Sequence, residues 1–364
     1  MQSLPAASLN THPILDPSGL GPVPGIPLVP ESLRRRHHAF IATDQRFRAA
    51  ARLLQALWRV DRGLPIGTYT DPEGRRRKLG SRISMAAGLA GANFLSPAIA
   101  YVASRELAYR EIGAVYDVDR LHMNLLSSQP LVFNLFAPLK RDLALATKVV
   151  AEILPGLMAE VTDILFEHAP ARGHLAFTGD HTAFDLLIRG RTPSGKRAFI
   201  AVEVKYSESC QEPVPSMHSR YAELSASSGL FIQPEAASLR ANPIQQLFRQ
   251  HCLAQVMLQH DLADCGIYLF IAPTLNHLAQ GAAATYAQHL AEPQSGQALF
   301  VNVALEHLIE AIAEVGEHNH ARALYRRYCD WWLIDGELQL DAAPSTPEAL
   351  AVEADPAASL EQAS

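Results

Sequence analysis

The chain has 364 residues, 48% apolar and 19% charged, which supplies enough apolar side chains for a buried core and excludes a disordered polyelectrolyte. A net charge of −6 excludes a protein that coats nucleic acid by its total charge, while leaving a local basic face open. Its four cysteines (Cys210, Cys252, Cys265 and Cys329) form no CxxC pair, and its fifteen histidines form no HExxH or finger spacing. That pattern argues against a disulfide framework or zinc motif and for reduced thiols in the cytoplasm.

Residues 1–30 hold seven prolines and almost no charge, so a disordered leader is expected. "GLGPVPG" within it is no phosphate cradle, because prolines lack the N–H donors such a cradle needs. No secretory signal pattern opens the chain. Residues 31–124 read as a helical, partly basic extension. "FRAAARLLQALWRV" spaces Phe47, Leu54, Leu57 and Trp58 as on a helix, with a stop at Gly63 and Pro65. Residues 31–82 carry thirteen Lys and Arg against five acids, which fits either a solvated helix face with a basic loop or a phosphate-contacting patch. The uncharged run 83–104 is long enough to span a bilayer. Its Ala, Gly and Ser, with Asn93 and Pro97, give little transfer energy, so buried small-residue helices are predicted instead.

Further along, "SPAIAYVASRELAYREIG", "LVFNLFAPL" and "DLALATKVVAEIL" read as helices, the first with a Ser–Pro start. The texture then turns to β, with apolar runs at 161–167, 174–178, 183–189 and 198–206 and a hairpin loop at "RTPSGK". A helix follows in "NPIQQLFRQHCLAQVMLQH", with Asn242 as its cap and Pro243 at its first position. Next come strands in "GIYLFIAP" and "ALFVNV" and helices in "LEHLIEAIAEV" and "ARALYRRYCDWWLI". The order α-β-β-β-α-β, with β and α appended, predicts an α/β fold with a mixed central sheet flanked by helices over 125–340. The acidic, Ala/Pro-rich tail 341–364 is expected to be disordered.

Three ionisable residues interrupt the most strand-like segments: Asp185, Glu203 and Lys205. In "FIAVEVKY", strand alternation turns Ile200, Val202, Val204 and Tyr206 one way, and Phe199, Ala201, Glu203 and Lys205 the other. Pairing across the hairpin brings the Asp185 carboxylate toward Glu203, and two carboxylates repel unless a cation or proton intervenes. A hard divalent ion resolves that repulsion with carboxylate, carbonyl and water ligands. Lys205 then orients water or neutralises phosphate, and burial would lower its pKa toward proton transfer. The plain alternative is a solvated strand face bearing a surface ion pair. The chain has five lysines against twenty-six arginines, and sets one of the five in its most strand-like segment, which favours the catalytic reading.

"FDLLI…FIAVEVKYSE" resembles the D–x(n)–ExK core of the PD-(D/E)XK nuclease superfamily. With "LLSSQPLVFNLF" at 125–136 and "TGDHTAFD" at 178–185, the chain is similar to bacterial proteins of the restriction-endonuclease type over roughly residues 35–335. The resemblance implies a restriction-endonuclease-like sheet and hydrolysis of DNA phosphodiesters with Mg²⁺, or Mn²⁺ in its place. It implies Asp185, Glu203 and the Val204 carbonyl as metal ligands and Lys205 as the catalytic lysine. Members also carry an acid on the helix before the first strand. Here Glu106, Glu152, Glu160 and Glu167 all remain open for it, with Gln129 as a non-acidic candidate. Gln246 and Arg249, three apart on one helix face, are candidates for substrate contact. Asp180 reads as a turn residue. DNA is the expected partner, without a membrane, and a homodimer is allowed. The competing reading is a nucleic-acid-binding protein that keeps the fold without the chemistry.

Overall fold

The computed structural model describes residues 23–342, apart from 115 and 213–216. The expectations for residues 1–22 and 343–364 lie outside the described residues. The N-terminal part runs α1 (Glu31–Arg36), α2 (Arg46–Asp61), a hairpin of β1 (Ile66–Thr70) and β2 (Arg76–Ile83), α3 (Met85–Leu89), α4 (Pro97–Ala108) and α5 (Val118–His122). Then come α6 (Ser128–Arg141), α7 (Leu143–Ile153), β3 (Glu160–His168), β4 (Phe184–Arg191), β5 (Arg197–Val204), α8 (Arg220–Ser228) and α9 (Gln245–Gln259). The chain continues through β6 (Cys265–Ala272), α10 (His277–Ala287), β7 (Leu299–Ala304), α11 (Leu305–Glu314), α12 (His318–Tyr328) and α13 (Trp332–Ala342).

Strands β3 to β7 form one mixed sheet in sequence order. The β3–β4 and β4–β5 pairs are antiparallel, and β5–β6 and β6–β7 are parallel. Alternation gives the sheet two apolar faces. Ile164, Phe166, Leu186, Ile188, Ile200, Val202 and Val204 pack in one cluster with side chains from α2, α6, α7, α11 and α12. Leu187, Phe199, Ala201, Tyr268 and Phe270 pack in a second cluster with α8, α9 and α10. The parity predicted for "FIAVEVKY" is therefore the one observed. Helices cover both faces, which is what a sheet with near-continuous apolar central strands requires.

The N-terminal helices share that first cluster. Leu53 and Leu54 of α2 pack with strand side chains, as does Val29 just before α1. A fully buried cation, Arg327 on α12, fastens the region. It donates to the Asn93 carbonyl at 2.7 Å and to Gln55 Oε1 at 3.3 Å, and lies 4.2 Å over the Trp58 ring.

Four local expectations need correction. Residues 66–83 form a hairpin and not a loop. The β-branched and aromatic run "IGTYT" pairs with the basic strand, and Asp71 gathers Arg75 and Arg77 at the turn. Residues 174–178 form no strand: Phe177 N bonds back to the His174 carbonyl, and its ring stacks on His260 at 4.7 Å. Asn242 does not cap α9. Its amide donates to the Glu212 carbonyl at 3.1 Å, and the helix begins at Gln245. The last predicted helix breaks after Tyr328, where Trp331 turns onto Phe47 at 5.4 Å, and resumes at Trp332. The Ser96–Pro97 start of α4 is as expected, with Ser96 accepting from Ile99 N. Among the described residues no helix is long and apolar enough to cross a membrane.

Most of the cations in 31–82 have internal partners. Arg52 and Arg48 hold Asp44, Arg59 donates to the Gly80 and Leu64 carbonyls, Arg82 meets Asp119, and Arg34 and Arg35 lie over Phe40. Arg75, Arg76, Arg77 and Lys78 of the hairpin nonetheless stay exposed.

Candidate active site

The β4–β5 ladder ends at the pair Leu186↔Val202. One step further, Asp185 and Glu203 face each other on the α9 side of the sheet. With the ladder ended, Val204 N–H is free to donate to Asp185 Oδ2, at 2.8 Å. On the other flank of β4, Glu167 falls between the pairs Phe166↔Leu186 and His168↔Phe184, level with Asp185. Three carboxylates therefore stand in a row across β3, β4 and β5. Glu167 has φ +48°, a left-handed conformation that costs a non-glycine residue roughly 1–3 kcal/mol and that concentrates at functional sites.

Glu203 is 3% exposed and Lys205 8%. Lys205 Nζ lies 2.6 Å from Glu203 Oε1 and donates to Gln246 Oε1 at 2.8 Å. The Gln246 amide donates back to Glu203 Oε1 at 2.7 Å. Gln250, one turn along α9, donates to Glu203 Oε2 at 2.6 Å and to the Ala183 carbonyl at 2.9 Å, and accepts from Tyr268 OH at 2.6 Å. A buried carboxylate is tolerated only with such partners.

The electrostatics follow from crowding. Burial raises the Asp185 pKa well above the usual carboxylate range, and Glu203 and Glu167 raise it further against the pull of Lys205 and the Val204 N–H. Burial, then Glu203, pushes Glu167 up to about 7, against Arg172 and Arg120. For Lys205, burial is the largest single influence and would lower the pKa, but Glu203 beside it, Cys210, Glu208 and Asp185 together outweigh that, and the pKa lies above the ordinary lysine value. The expectation that burial lowers the Lys205 pKa is therefore corrected: its ammonium stays protonated.

Glu208 fixes the turn that follows Lys205. Its Oε2 accepts from Tyr206 and Ser207 N–H, and its Oε1 from the Ser128 N–H and hydroxyl at the start of α6. A cleft of about 330 Å³ opens beside Lys205, lined also by Arg120, Thr182, Gln246, Arg249 and Gln250.

Asp185, Glu203, Lys205, the Val204 main chain and Gln246 are thus brought together. Arg249 lines the same cleft, but its guanidinium is held by Asp180 at 2.7 Å and lies over the Tyr221 ring. Asp180 is a loop anchor, bonded also by Tyr221 OH and Thr182 N–H. Gln129 stands on the first turn of α6, with its Oε1 buried and unpaired and no contact to the carboxylates. Of the four open acids, Glu106 pairs with Lys140 at 2.6 Å, Glu152 is exposed, and Glu160 begins β3 at the opposite end. Glu167 alone joins the row, from a strand and not from a helix. Gln250 and Glu208 had no role in the sequence reading. Gln250 carried a signal nonetheless, four residues from Gln246 on one helix face.

Among the described residues, no group of three or more His, Cys, Asp or Glu side chains stands ready-made around a metal position. The reason is visible at Glu203, whose two oxygens are turned onto Lys205, Gln246 and Gln250. The donor set still fits a hard divalent ion, because it offers carboxylates that destabilise one another's charge with main-chain atoms alongside.

Three antiparallel-paired strands, a crossing helix and a parallel strand, with acids and a lysine at the end of the middle strands, make a restriction-endonuclease-like fold. The family model of the PD-(D/E)XK nuclease superfamily matches residues 42–330, and the chain belongs to that family. Neither the curated proteins nor the solved structures give a match.

Proposed function

We propose that this member of the nuclease superfamily is a divalent-metal-dependent hydrolase of DNA phosphodiester bonds, an endonuclease of restriction or repair type. The observation that carries the reading is the facing pair Asp185 and Glu203 at the end of the β4–β5 ladder, with the Lys205 ammonium on Glu203. Asp185, Glu203 and the Val204 carbonyl would hold Mg²⁺, or Mn²⁺ in its place, with Glu167 as the additional carboxylate. The chemistry such an ion supplies when bound is stabilisation of charge on the phosphoryl group and a lower pKa for water.

The chain's own groups do the rest. Lys205 keeps its proton on Nζ and offers positive charge to a phosphate oxygen or orients water, so it is no base. Gln246 and Gln250 hold Glu203 in register through hydrogen bonds to both its oxygens. Four unpaired thiols suit a cytoplasmic setting. The described residues give no support for a homodimer.

The test is incubation of the purified protein with supercoiled and linear DNA. Cleavage is expected with Mg²⁺ or Mn²⁺ and is lost on chelation. Binding to DNA without cleavage under either metal would select the competing reading, a nucleic-acid-binding protein that has lost the chemistry.

A further inference from the structure

Five cations and two acids lie between Ile66 and Ile83, in the β1–β2 hairpin. Asp71 at the turn holds Arg75 and Arg77. Arg77 has the strand parity of the buried Leu79, so Arg76 and Lys78 stand on the other face, opposite Thr70 and Thr68. Both are exposed, and among the described residues neither makes an ion pair; Arg76 donates to Thr68 Oγ1 at 3.1 Å. Their face borders an open cleft of about 670 Å³, lined by Thr68, Thr70 and Arg76 together with Arg82, Met85 and Asp119.

The root of this hairpin is bonded to the catalytic end of the sheet. Leu125 N–H donates to the Ser81 carbonyl at 3.0 Å, and Ile83 N–H to the Met123 carbonyl at 3.1 Å. Ser207, two residues after Lys205, donates from its hydroxyl to the Leu126 carbonyl at 3.2 Å. The short helix α5 stands between the two clefts. Asp119 lines the hairpin cleft and meets Arg82. Arg120, the next residue, lines the cleft beside Lys205 and lies 3.4 Å from Glu208. The clefts therefore flank one ridge, a helix diameter of roughly 10 Å across. Arg191 and Lys196, exposed at the β4–β5 turn, lie at the opposite end of the sheet from that ridge.

We propose that the β1–β2 hairpin grips the phosphate backbone of duplex DNA through Arg76 and Lys78, with the duplex crossing α5 at Arg120 to reach the cleft beside Lys205. This rests on the nuclease reading, and it adds the path of the substrate. Arg76 is six residues from Arg82, at most about 20 Å along the strand. With the width of α5, the grip acts within about 30 Å of the bond that breaks, the length of roughly nine base pairs. A ligand that fills both clefts is therefore a polymer with phosphates spaced along it, since a mononucleotide reaches only one. Such contacts position the duplex without reading its sequence.

The experiment is equilibrium binding of a labelled random-sequence DNA duplex, long enough to cover both clefts, in chelator and across a salt series. Wild type is compared with Arg76→Ala/Lys78→Ala, with the charge-keeping Arg76→Lys, and with Arg191→Ala/Lys196→Ala, which removes the same charge at the opposite end of the sheet. Arg76→Ala/Lys78→Ala should lose about tenfold or more in affinity, and its slope of log K against log salt should be shallower by about 1.8, two phosphate contacts' worth. Arg76→Lys should keep the wild-type slope, Arg191→Ala/Lys196→Ala should bind as wild type does, and all three should melt as wild type does. Unchanged affinity and slope in Arg76→Ala/Lys78→Ala, an equal loss at the opposite end of the sheet, or no binding by wild type would each overturn the inference. Binding that depends on Arg76 and Lys78 in a protein that never cleaves leaves this inference standing and removes the nuclease reading. Cleavage by a protein indifferent to both substitutions does the reverse.

Discussion

Asp185→Asn is expected to abolish DNA cleavage, by roughly 10²–10³-fold or more, without lowering the stability of the fold. The two halves of that result have separate causes. The substituted amide oxygen still accepts from Val204 N–H, so the local geometry persists. The charge it removes is one that burial, Glu203 and Glu167 all oppose. A carboxyl whose pKa is raised by folding binds its proton more tightly in the folded chain. The stability it contributes is complete below the unfolded pKa and is lost as pH rises through the folded value. For Glu167 that window runs from 4.5 to about 7, and Asp185 adds a loss in the same direction. Buried histidines such as His251, held below the ordinary histidine value by burial, act in the opposite direction in wild type and variant alike, so the comparison is between the two. Metal-free Asp185→Asn should gain in melting temperature relative to wild type on going from about pH 5 to about pH 8. A variant that cuts normally, or that is strongly destabilised at neutral pH, would show that Asp185 is a structural anchor.

Glu203→Ala is expected to abolish cleavage as well, but at a loss of roughly 3–5 kcal/mol in stability, because it leaves the Lys205 ammonium buried without its counter-charge. The double variant Glu203→Ala/Lys205→Met removes both charges and should recover part of that loss. The coupling between the two sites should exceed about 1 kcal/mol in a double-mutant cycle. Additive effects on the chemical denaturation midpoint would mean that the buried pair is not an energetic unit. The contrast in sign with Asp185→Asn separates this arrangement from a surface ion pair, for which both substitutions would be nearly silent.

The sequence exposed the part of this design that depends on period and on local chemistry. Strand alternation placed Glu203 and Lys205 on one face, and the hairpin turn at "RTPSGK" set Asp185 opposite Glu203. Contacts set by tertiary packing were beyond its reach. Glu167 joins the row because β3 pairs with β4 in a register that sets it level with Asp185, a pairing across the long 169–183 connection that no hairpin spacing announces. Gln250 meets Glu203 because α9 crosses β5 at one particular height. The sign of the Lys205 shift depends on a 2.6 Å contact to Glu203, and burial taken alone gives the opposite answer. In the basic N-terminal segment, charge counts do not reveal which arginines Asp44, Asp71 and main-chain carbonyls will hold.

The chemistry proposed here requires one cation to satisfy acids that arrive from different strands. Crystals of the protein soaked in Mn²⁺, with the ion located by its anomalous scattering, test that most directly. The expected map shows a single strong peak bridging the side chains of Asp185 and Glu203, with Glu203 released from Gln250 or Lys205 to reach it. A metal-dependent, DNA-cleaving protein whose Mn²⁺ sits elsewhere, away from both carboxylates, would contradict the account.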